Sequence, residues 1–537
     1  MKSVAIGGFF HDLNFSLYDS EKRLLLSAEE ERFSRQKMHS VLNCDKTSVE
    51  SLEWMLNEAG LNISDIDTVF YSDTKEQRIY GFFDSLFSNA RKVRIGHHIS
   101  HIYNVIALNP IIRGLEEDIR CFCFDAFGDG ASGCKGTWSK IGGLSIERTF
   151  PEEFSLGILY TAATSHLGFG GFGSEGKMQG LASYGKYKQE YSIAEYIRCE
   201  DGMPFVEQEI KRQSGWQKQE QYVNIGVQVN EFLSEIIDRR FSDEEISEEH
   251  CDFARTIQTD IFHVIKDSLI EAGFGSNVLI SGGIAQNSTL INYLAEELDV
   301  RILTSTSCSD RGNSLGALCA GIEEHNIEAS PFLGLNAETL EVPESFTRIT
   351  NTENNNAVEL AARLLAEGKL VATLISRAEL GARALGNRSI LSAACDSRRK
   401  EYLNHDVKHR ESFRPFAPII LERNTEYALE HPIRSGYMTQ CVSVSSDFKK
   451  EYPSAVHVDN TARVQIHGTE TPANLVISTL LDRLDEEWGI RAILNTSFND
   501  AGEPIVNNYF DALKTMKSCG IEYLLDSDSL YRVGDEA

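Results

Sequence analysis

The 537-residue chain has no C-x-x-C pair, no internal repeat, no low-complexity tract and no apolar run approaching a membrane span. Its eleven cysteines are odd in number and include Cys121 and Cys123, which alternate within an apolar stretch. Buried free thiols in a reducing cytosol explain that pattern better than a disulfide framework, so a cytoplasmic location is expected. Apolar runs such as Leu370–Ile375 are far shorter than the roughly 20 residues a spanning helix needs, so no membrane role is expected. The opening Met1-Lys2-Ser3-Val4-Ala5-Ile6-Gly7-Gly8 reads as a first strand, since it has neither a long apolar core nor a small-residue cleavage site. Positive charge is also scarce. Lys and Arg total 52 against 80 Asp and Glu, a net charge of −28, which argues against a large nucleic-acid surface. The acidity suits a cationic small molecule as acceptor, but solubility alone accounts for it equally well.

What remains is a globular composition, 42% hydrophobic and 25% charged, on a chain long enough for two or three domains. The pattern predicts strands at Val4–Phe9, Asn14–Tyr18 and Leu24–Ala28, with a hairpin turn at Asp19-Ser20. Helix-like residues follow at Ser48–Ala59, then a short buried strand at Thr68–Tyr71. Further strand–turn units are expected at Cys121–Asp125 and Val278–Ser281, the second leading into a helix through Asn292–Leu298. Strands that end in glycine-rich or acidic turns and alternate with helices define an α/β class with ligand sites at strand ends. Residues 200–250 read as a helical insertion, through Glu207–Arg212 and Glu231–Arg240. The aperiodic stretch Asn336–Asn356 marks the boundary, giving domains at 1–340 and 357–537 with a linker at 341–356. The second domain opens with a helix at Ala357–Glu367 and a strand at Leu370–Ile375.

Two clusters carry the chemistry. His97 and His101 are four residues apart, so on a helix they share a face and can clamp one cation. Asp125 and Asp310 lie in turns that can complete the set. Mixed His/Asp ligation suits Fe(II), Mn(II) or Zn(II) better than Mg(II) or Ca(II). His98 points elsewhere. Three turns have phosphate-binding character: Gly7–Asp12, the run through Asp125, Gly128, Asp129 and Gly130, and Gly282-Gly283 leading to Asn287. Taken singly each is equally loop chemistry; in order, the three resemble the nucleotide-binding fold of actin, hexokinase and the heat-shock ATPases. Glu175 and Lys177 sit in a small-residue loop that reads either as a ligand-closing segment or as a capped surface turn. In the second half, Arg383 and Arg388 share one segment, Lys408, Arg410 and Arg414 share Val407–Pro418, and Arg463 follows. These cations alternate with Phe413, Pro415, Phe416 and Pro418, as in a packed pocket wall able to take several phosphate oxygens. Asn495 and Ser497 end a strand with polar groups that would form a final wall.

These segments resemble the O-carbamoyltransferase family, which includes nodulation-factor and antibiotic-tailoring carbamoyltransferases. The resemblance runs almost end to end and is most specific at Glu29–Arg35, His97–His101, Gly381–Ser389, Val407–Pro418, Asn495–Asn499 and Gly502-Glu503-Pro504. It implies an N-terminal TsaD-like domain of the actin type and a C-terminal YrdC-like domain. In the latter, carbamoyl phosphate and ATP, with Mg(II), would give carbamoyl-adenylate. The carbamoyl group would then pass to a small-molecule alcohol at a metal site in the N-terminal domain. The resemblance puts Arg383, Lys408, Arg414, Arg463 and Ser497 at the carbamoyl phosphate and nucleotide site. It puts His97, His101, Asp125 and Asp310 at the metal, with Fe(II) preferred, and His11 and Asp12 near the acceptor. His11 is the expected base and Asp12 an acceptor contact. The rival functions are a tRNA threonylcarbamoyl transferase-like enzyme and a non-catalytic, ATP-switched binding protein. A homodimer is allowed, and the acceptor alcohol is not specified.

Overall fold

The computed structural model describes residues 1–40, 49–72, 77–207, 229, 231–322, 327, 329–350, 357–431, 433, 436–468 and 475–534. Its elements are mixed α/β. The chain forms two compact units, one of Met1–Tyr71, Gln77–Val93 and Glu324–Ala537, the other of Ser72–Glu76 and Arg94–Glu323.

The first unit begins with an antiparallel meander, Lys2–Gly7, Asn14–Asp19 and Leu24–Glu29. Lys2–Gly7 also pairs in parallel with Thr68–Ser72. The helix Glu50–Ala59 covers this sheet through Leu52, Met55, Leu56 and Ala59, an i, i+3, i+4, i+7 stripe that packs with Phe15 and Leu17.

The larger sheet of this unit has eight strands. In order they are Phe346–Arg348, Leu530–Val533, Tyr523–Leu525, Val371–Thr373, Ser389–Ala393, Ala492–Ser497, Ala417–Leu421 and Gln465–His467. Both of its faces are buried, and the period-2 geometry of a strand shows how. Ala372, Ile390, Ile420 and Leu494 enter one core, while their neighbours Val371, Leu391, Ile419 and Ile493 enter another. Ala357–Ala366 and Leu475–Trp488 supply helical side chains to the second core, and Tyr509–Cys519 supplies the first. The segment expected as a linker, 341–356, carries the strand Phe346–Arg348, which pairs with Leu530–Val533.

The second unit holds a five-stranded sheet ordered Arg301–Leu303, Asn277–Ser281, Ile119–Gly128, Ala131–Ser139, Gly143–Pro151. The first three strands are parallel and the last three antiparallel. Helix His97–Leu108 packs on helix Asn313–Gly321 at such close range that a Cβ on Gly316 would lie 1.8 Å from the Ser100 carbonyl oxygen. That crossing brings the start of one helix against the start of the other. In the stretch expected to be a helical insertion, Ile197–Glu200 and Met203–Val206 instead pair as an antiparallel ribbon. Beyond Leu233 the chain leaves helical geometry. Arg240 turns inward to donate to the Leu167 carbonyl and lie over the Phe169 ring. Most of Glu207–Arg212 lies outside the described residues.

Among the described residues no helix is long and apolar enough to cross a membrane, and the ten cysteines there are free thiols.

Candidate functional site

Helix His97–Leu108 presents His97 and His101 on one face, as the spacing predicts. Asp125 lies on the central strand Ile119–Gly128, and Asp310 opens the turn before helix Asn313–Gly321. The four side chains converge. His97 Nε2 lies 3.1 Å from Asp125 Oδ2 and 3.4 Å from Asp310 Oδ1. His101 Nε2 lies 3.3 and 3.2 Å from the same two oxygens and 3.1 Å from His97 Nε2. All four ligand atoms fall within 4.8 Å of one another. Ligands about 2.0–2.2 Å from a tetrahedral ion stand about 3.3–3.6 Å apart, and cis ligands of an octahedral ion somewhat closer. The observed separations therefore fit one first-row divalent ion held by two imidazoles and two carboxylates.

The surroundings fix each ligand's orientation. His101 Nδ1 is 2.9 Å from the Cys308 carbonyl, so it carries the proton and leaves the Nε2 lone pair for a cation. Asp125 Oδ1 accepts from the Gly283 N–H at 2.9 Å, leaving Oδ2 turned to the histidines. Asn313 Nδ2 stands 3.3 Å from His101 Nε2 and 3.4 Å from His97 Nδ1.

The four groups also shift one another's protonation. Burial disfavours charge on His97 and His101, but Asp310 and Asp125 outweigh it and raise both pKa values. Burial would likewise raise Asp125, yet His101 and His97 hold it well below the carboxylate range. The cluster thus favours positive charge between its ligands. Burial, followed by charge on His97, lowers His98 to about 3.

The glycine turns beside the cluster serve packing as well. Asp129 and Gly130, at φ 54° and 80°, form the hairpin between Ile119–Gly128 and Ala131–Ser139, and Asp129 accepts from the His97 N–H. Gly282, at φ 87°, passes so near Phe124 that a Cβ would lie 2.2 Å from its carbonyl oxygen. Asn287 caps helix Ser288–Leu298 by accepting from the Thr289 and Leu290 N–H groups, and donates to Gln258 at 3.1 Å. Glu175 accepts from the Thr161 hydroxyl at 2.7 Å.

His11 and Asp12 belong to the first unit, whereas the metal cluster belongs to the second. They form a 3.0 Å His11 Nδ1–Asp12 Oδ2 pair, with Asp12 in the left-handed region at φ 58°.

The basic residues of the C-terminal half also lie in the first unit. Arg383 and Arg414 depress the pKa of Arg463, and Arg410 and Arg414 depress that of Lys408, so these cations are neighbours, with Lys408 buried and the arginines half-buried. Burial is the leading cause for each. Arg463 and Arg410 fall to about 9 and Lys408 to about 7, while Arg414 is lowered despite Glu411. Like charges gathered under low exposure are stabilised by an anion among them. Arg410 donates to Asn404 Oδ1 at 2.7 Å and lies over the Phe416 ring at 4.6 Å, as the alternation of cations and aromatics predicts.

Three of these residues also bind their own chain. The Lys408 ammonium donates to the Ser497 carbonyl at 2.8 Å, to Asn499 Oδ1 at 2.8 Å and to the Asn499 carbonyl. With its donors directed there, Lys408 braces the loop after Ala492–Ser497. Ser497 donates to Asn499 Oδ1 at 2.6 Å, and Asn495 donates to the Ala384 carbonyl at 3.0 Å. Arg388 departs from expectation. It is fully buried and donates to the Ile375 and Leu335 carbonyls at 2.8 and 2.9 Å, so it is a structural strut and not an anion ligand.

One functional support that the sequence reading missed is Glu379. Glu379 Oε1 accepts from the Leu385, Asn387 and Arg388 N–H groups at 2.7–3.1 Å and shapes the loop that carries Arg383. The available signal was a lone carboxylate at the end of an apolar run, too weak to interpret.

Fold and site together define an α/β protein with a His/Asp cluster that could hold a metal ion in one unit and a gathering of cations in the other. The model of the carbamoyltransferase N-terminus matches residues 87–319, and that of the carbamoyltransferase C-terminus matches 362–532. The chain belongs to the carbamoyltransferase family and is an enzyme of carbamoyl transfer. It is 27% identical to the nodulation protein NolNO of Sinorhizobium fredii over 96% of this chain and 78% of the relative. With the uncharacterized protein MJ1051 of Methanocaldococcus jannaschii it shares 28% over 96% of each. A nodulation protein U of Rhizobium tropici is 33% identical over 42% of this chain and 38% of the relative.

Proposed function

We propose that the protein is an ATP-dependent O-carbamoyltransferase working in two steps, with functional domains at 1–340 (TsaD-like) and 357–537 (YrdC-like). In the first step carbamoyl phosphate is hydrolysed to carbamate and phosphate. A carbamate oxygen then attacks the α-phosphorus of Mg(II)-bound ATP, forming a C–O–P linkage and expelling pyrophosphate. In the second, a hydroxyl oxygen of a small alcohol attacks the carbonyl carbon of carbamoyl-adenylate. The bond to the phosphoryl oxygen breaks, AMP leaves, and the hydroxyl proton passes to a base, for which His11 is our candidate.

The observation carrying this reading is the gathering of the half-buried Arg383, Arg414, Arg463 and Arg410 around the buried Lys408 in a carbamoyltransferase chain. Such a cluster suits a small, multiply charged substrate. His97, His101, Asp125 and Asp310 would hold a divalent ion, Fe(II) by preference with Mn(II) or Zn(II) as alternatives. Bound there, the ion would supply Lewis-acid polarisation to the group being transferred. The glycine turns at Gly128–Gly130 and Gly282-Gly283, with Asn287, would receive the nucleotide.

Pyrophosphate release from ATP, measured with and without carbamoyl phosphate, tests the reading. Release that requires carbamoyl phosphate and is accompanied by AMP on adding an acceptor alcohol is expected. ATP cleavage to ADP, or indifference to carbamoyl phosphate, would refute it.

A further inference from the structure

The loop carrying Arg383 is pinned on both sides of that residue. On its far side the Ala384 carbonyl accepts from Asn495 Nδ2 at 3.0 Å, and the Leu385 carbonyl from Gln465 Nε2 at 2.7 Å. On its near side, both polar groups of the Gly381 backbone are gripped by residues from the first 35 positions of the chain. The Gly381 N–H donates to Glu29 Oε1 at 2.6 Å, and its carbonyl accepts from Arg32 Nη2 at 2.9 Å. Glu29 Oε2 and Arg32 Nε form an ion pair at 3.3 Å, and both side chains are almost fully buried, at 1% and 2% exposure. Gly381 stands at φ 91°, where glycine turns freely and a loop needs outside restraint to hold one conformation.

A buried ion pair is a poor source of net stability, because desolvation offsets most of its attraction. Its geometry here serves something more specific. The planar guanidinium and the carboxylate hold the two peptide groups that flank Gly381, two residues before Arg383. We propose that Glu29 and Arg32 are positioning residues that set Arg383 for carbamoyl phosphate, so that the end of the third strand and the helical turn after it complete the anion site of the C-terminal half. The inference rests on the function proposed above. Neither residue touches substrate; both act through the Gly381 backbone.

The test uses the full-length, metal-loaded enzyme and the variants Arg32→Lys and Glu29→Gln. Lysine retains the charge but cannot hold the Gly381 carbonyl and Glu29 in one plane. Glutamine retains an acceptor for the Gly381 N–H and loses the ion pair. KM for carbamoyl phosphate should rise about tenfold or more in carbamoyl-adenylate formation, with KM for ATP near the parental value. Transfer from supplied carbamoyl-adenylate should persist. The same substitutions in an Arg383→Ala background should add little further, because they act through that side chain. Equal KM values for parent and variants, or additive effects in the Arg383→Ala background, would overturn the clamp. A joint fall of both half-reactions with the melting temperature would also overturn it, by assigning the pair to general stability. Should Arg32→Lys fail to fold, Glu29→Gln and its cycle with Arg383→Ala decide alone. If the parent itself releases no pyrophosphate, the functional reading falls and takes the clamp with it. Parental activity with unaltered variants removes the clamp only.

Discussion

Gly128 faces His97 so closely that a Cβ at position 128 would lie 2.2 Å from the imidazole Cδ2. The glycine leaves room for the His97 imidazole. Gly128→Ala should push His97 out of the cluster and weaken metal affinity about 10–100-fold, the usual scale for disturbing a ligand's support. His101→Ala, which removes a ligand outright, should lower occupancy further while leaving carbamoyl-adenylate formation intact. Elemental analysis of both purified variants beside the parent checks this, and full occupancy in His101→Ala would remove it from the ligand set.

Arg414 is paired with Glu411 only at 4.0 Å, and both side chains are about a third exposed. An ion pair of that kind contributes about 0–1 kcal/mol to stability. A charge-assisted contact to a substrate oxygen is worth about 1.5–3 kcal/mol. Arg414→Ala should therefore cripple carbamoyl-adenylate synthesis with little loss of melting temperature. Measuring both half-reactions beside the melting curve separates this from a structural role, in which all three would decline together.

Lys408 titrates near pH 7 in the folded protein because burial and the neighbouring Arg410 disfavour its charge. Its folded pKa lies below the unfolded value, so between the two the unfolded chain binds more protons and stability rises with pH. An anion entering the pocket reverses the depression. At about pH 8, where the ammonium is largely deprotonated, carbamoyl phosphate binding should take up a fraction of a proton. Calorimetry in buffers of different ionisation enthalpy reads that uptake, and Lys408→Met should abolish it. An uptake unchanged in Lys408→Met would assign the titration to another group.

The 3.0 Å contact between His11 Nδ1 and Asp12 Oδ2 orients the imidazole. If His11 removes the proton during transfer, His11→Ala should slow that step about 10²–10⁴-fold and spare carbamoyl-adenylate formation. A parental transfer rate across the range where imidazole titrates would place the base elsewhere.

The sequence by itself determined the local features. Alternating apolar residues set the first three strands, and the four-residue step set His97 and His101 on one helical face, because strand and helix periods are properties of the backbone. It also showed that Asp125 and Asp310 have the chemistry to complete a metal site. Tertiary structure decided the rest. Arg383 and Arg388 are five positions apart and chemically alike, yet one shares a region with Arg463 while the other is consumed by the Ile375 and Leu335 carbonyls. Nothing in the spacing distinguishes them, since the deciding partners arrive from other strands. Likewise the motif Glu29–Arg35 shows only a family resemblance in sequence, and folding brings it to Gly381, 352 residues from Glu29, and to the Pro504 and Ile505 carbonyls held by Arg35. Hydrogen-bonding capacity belongs to the residue and is legible in one dimension. Which carbonyl or carboxylate satisfies it is settled only when the whole chain packs.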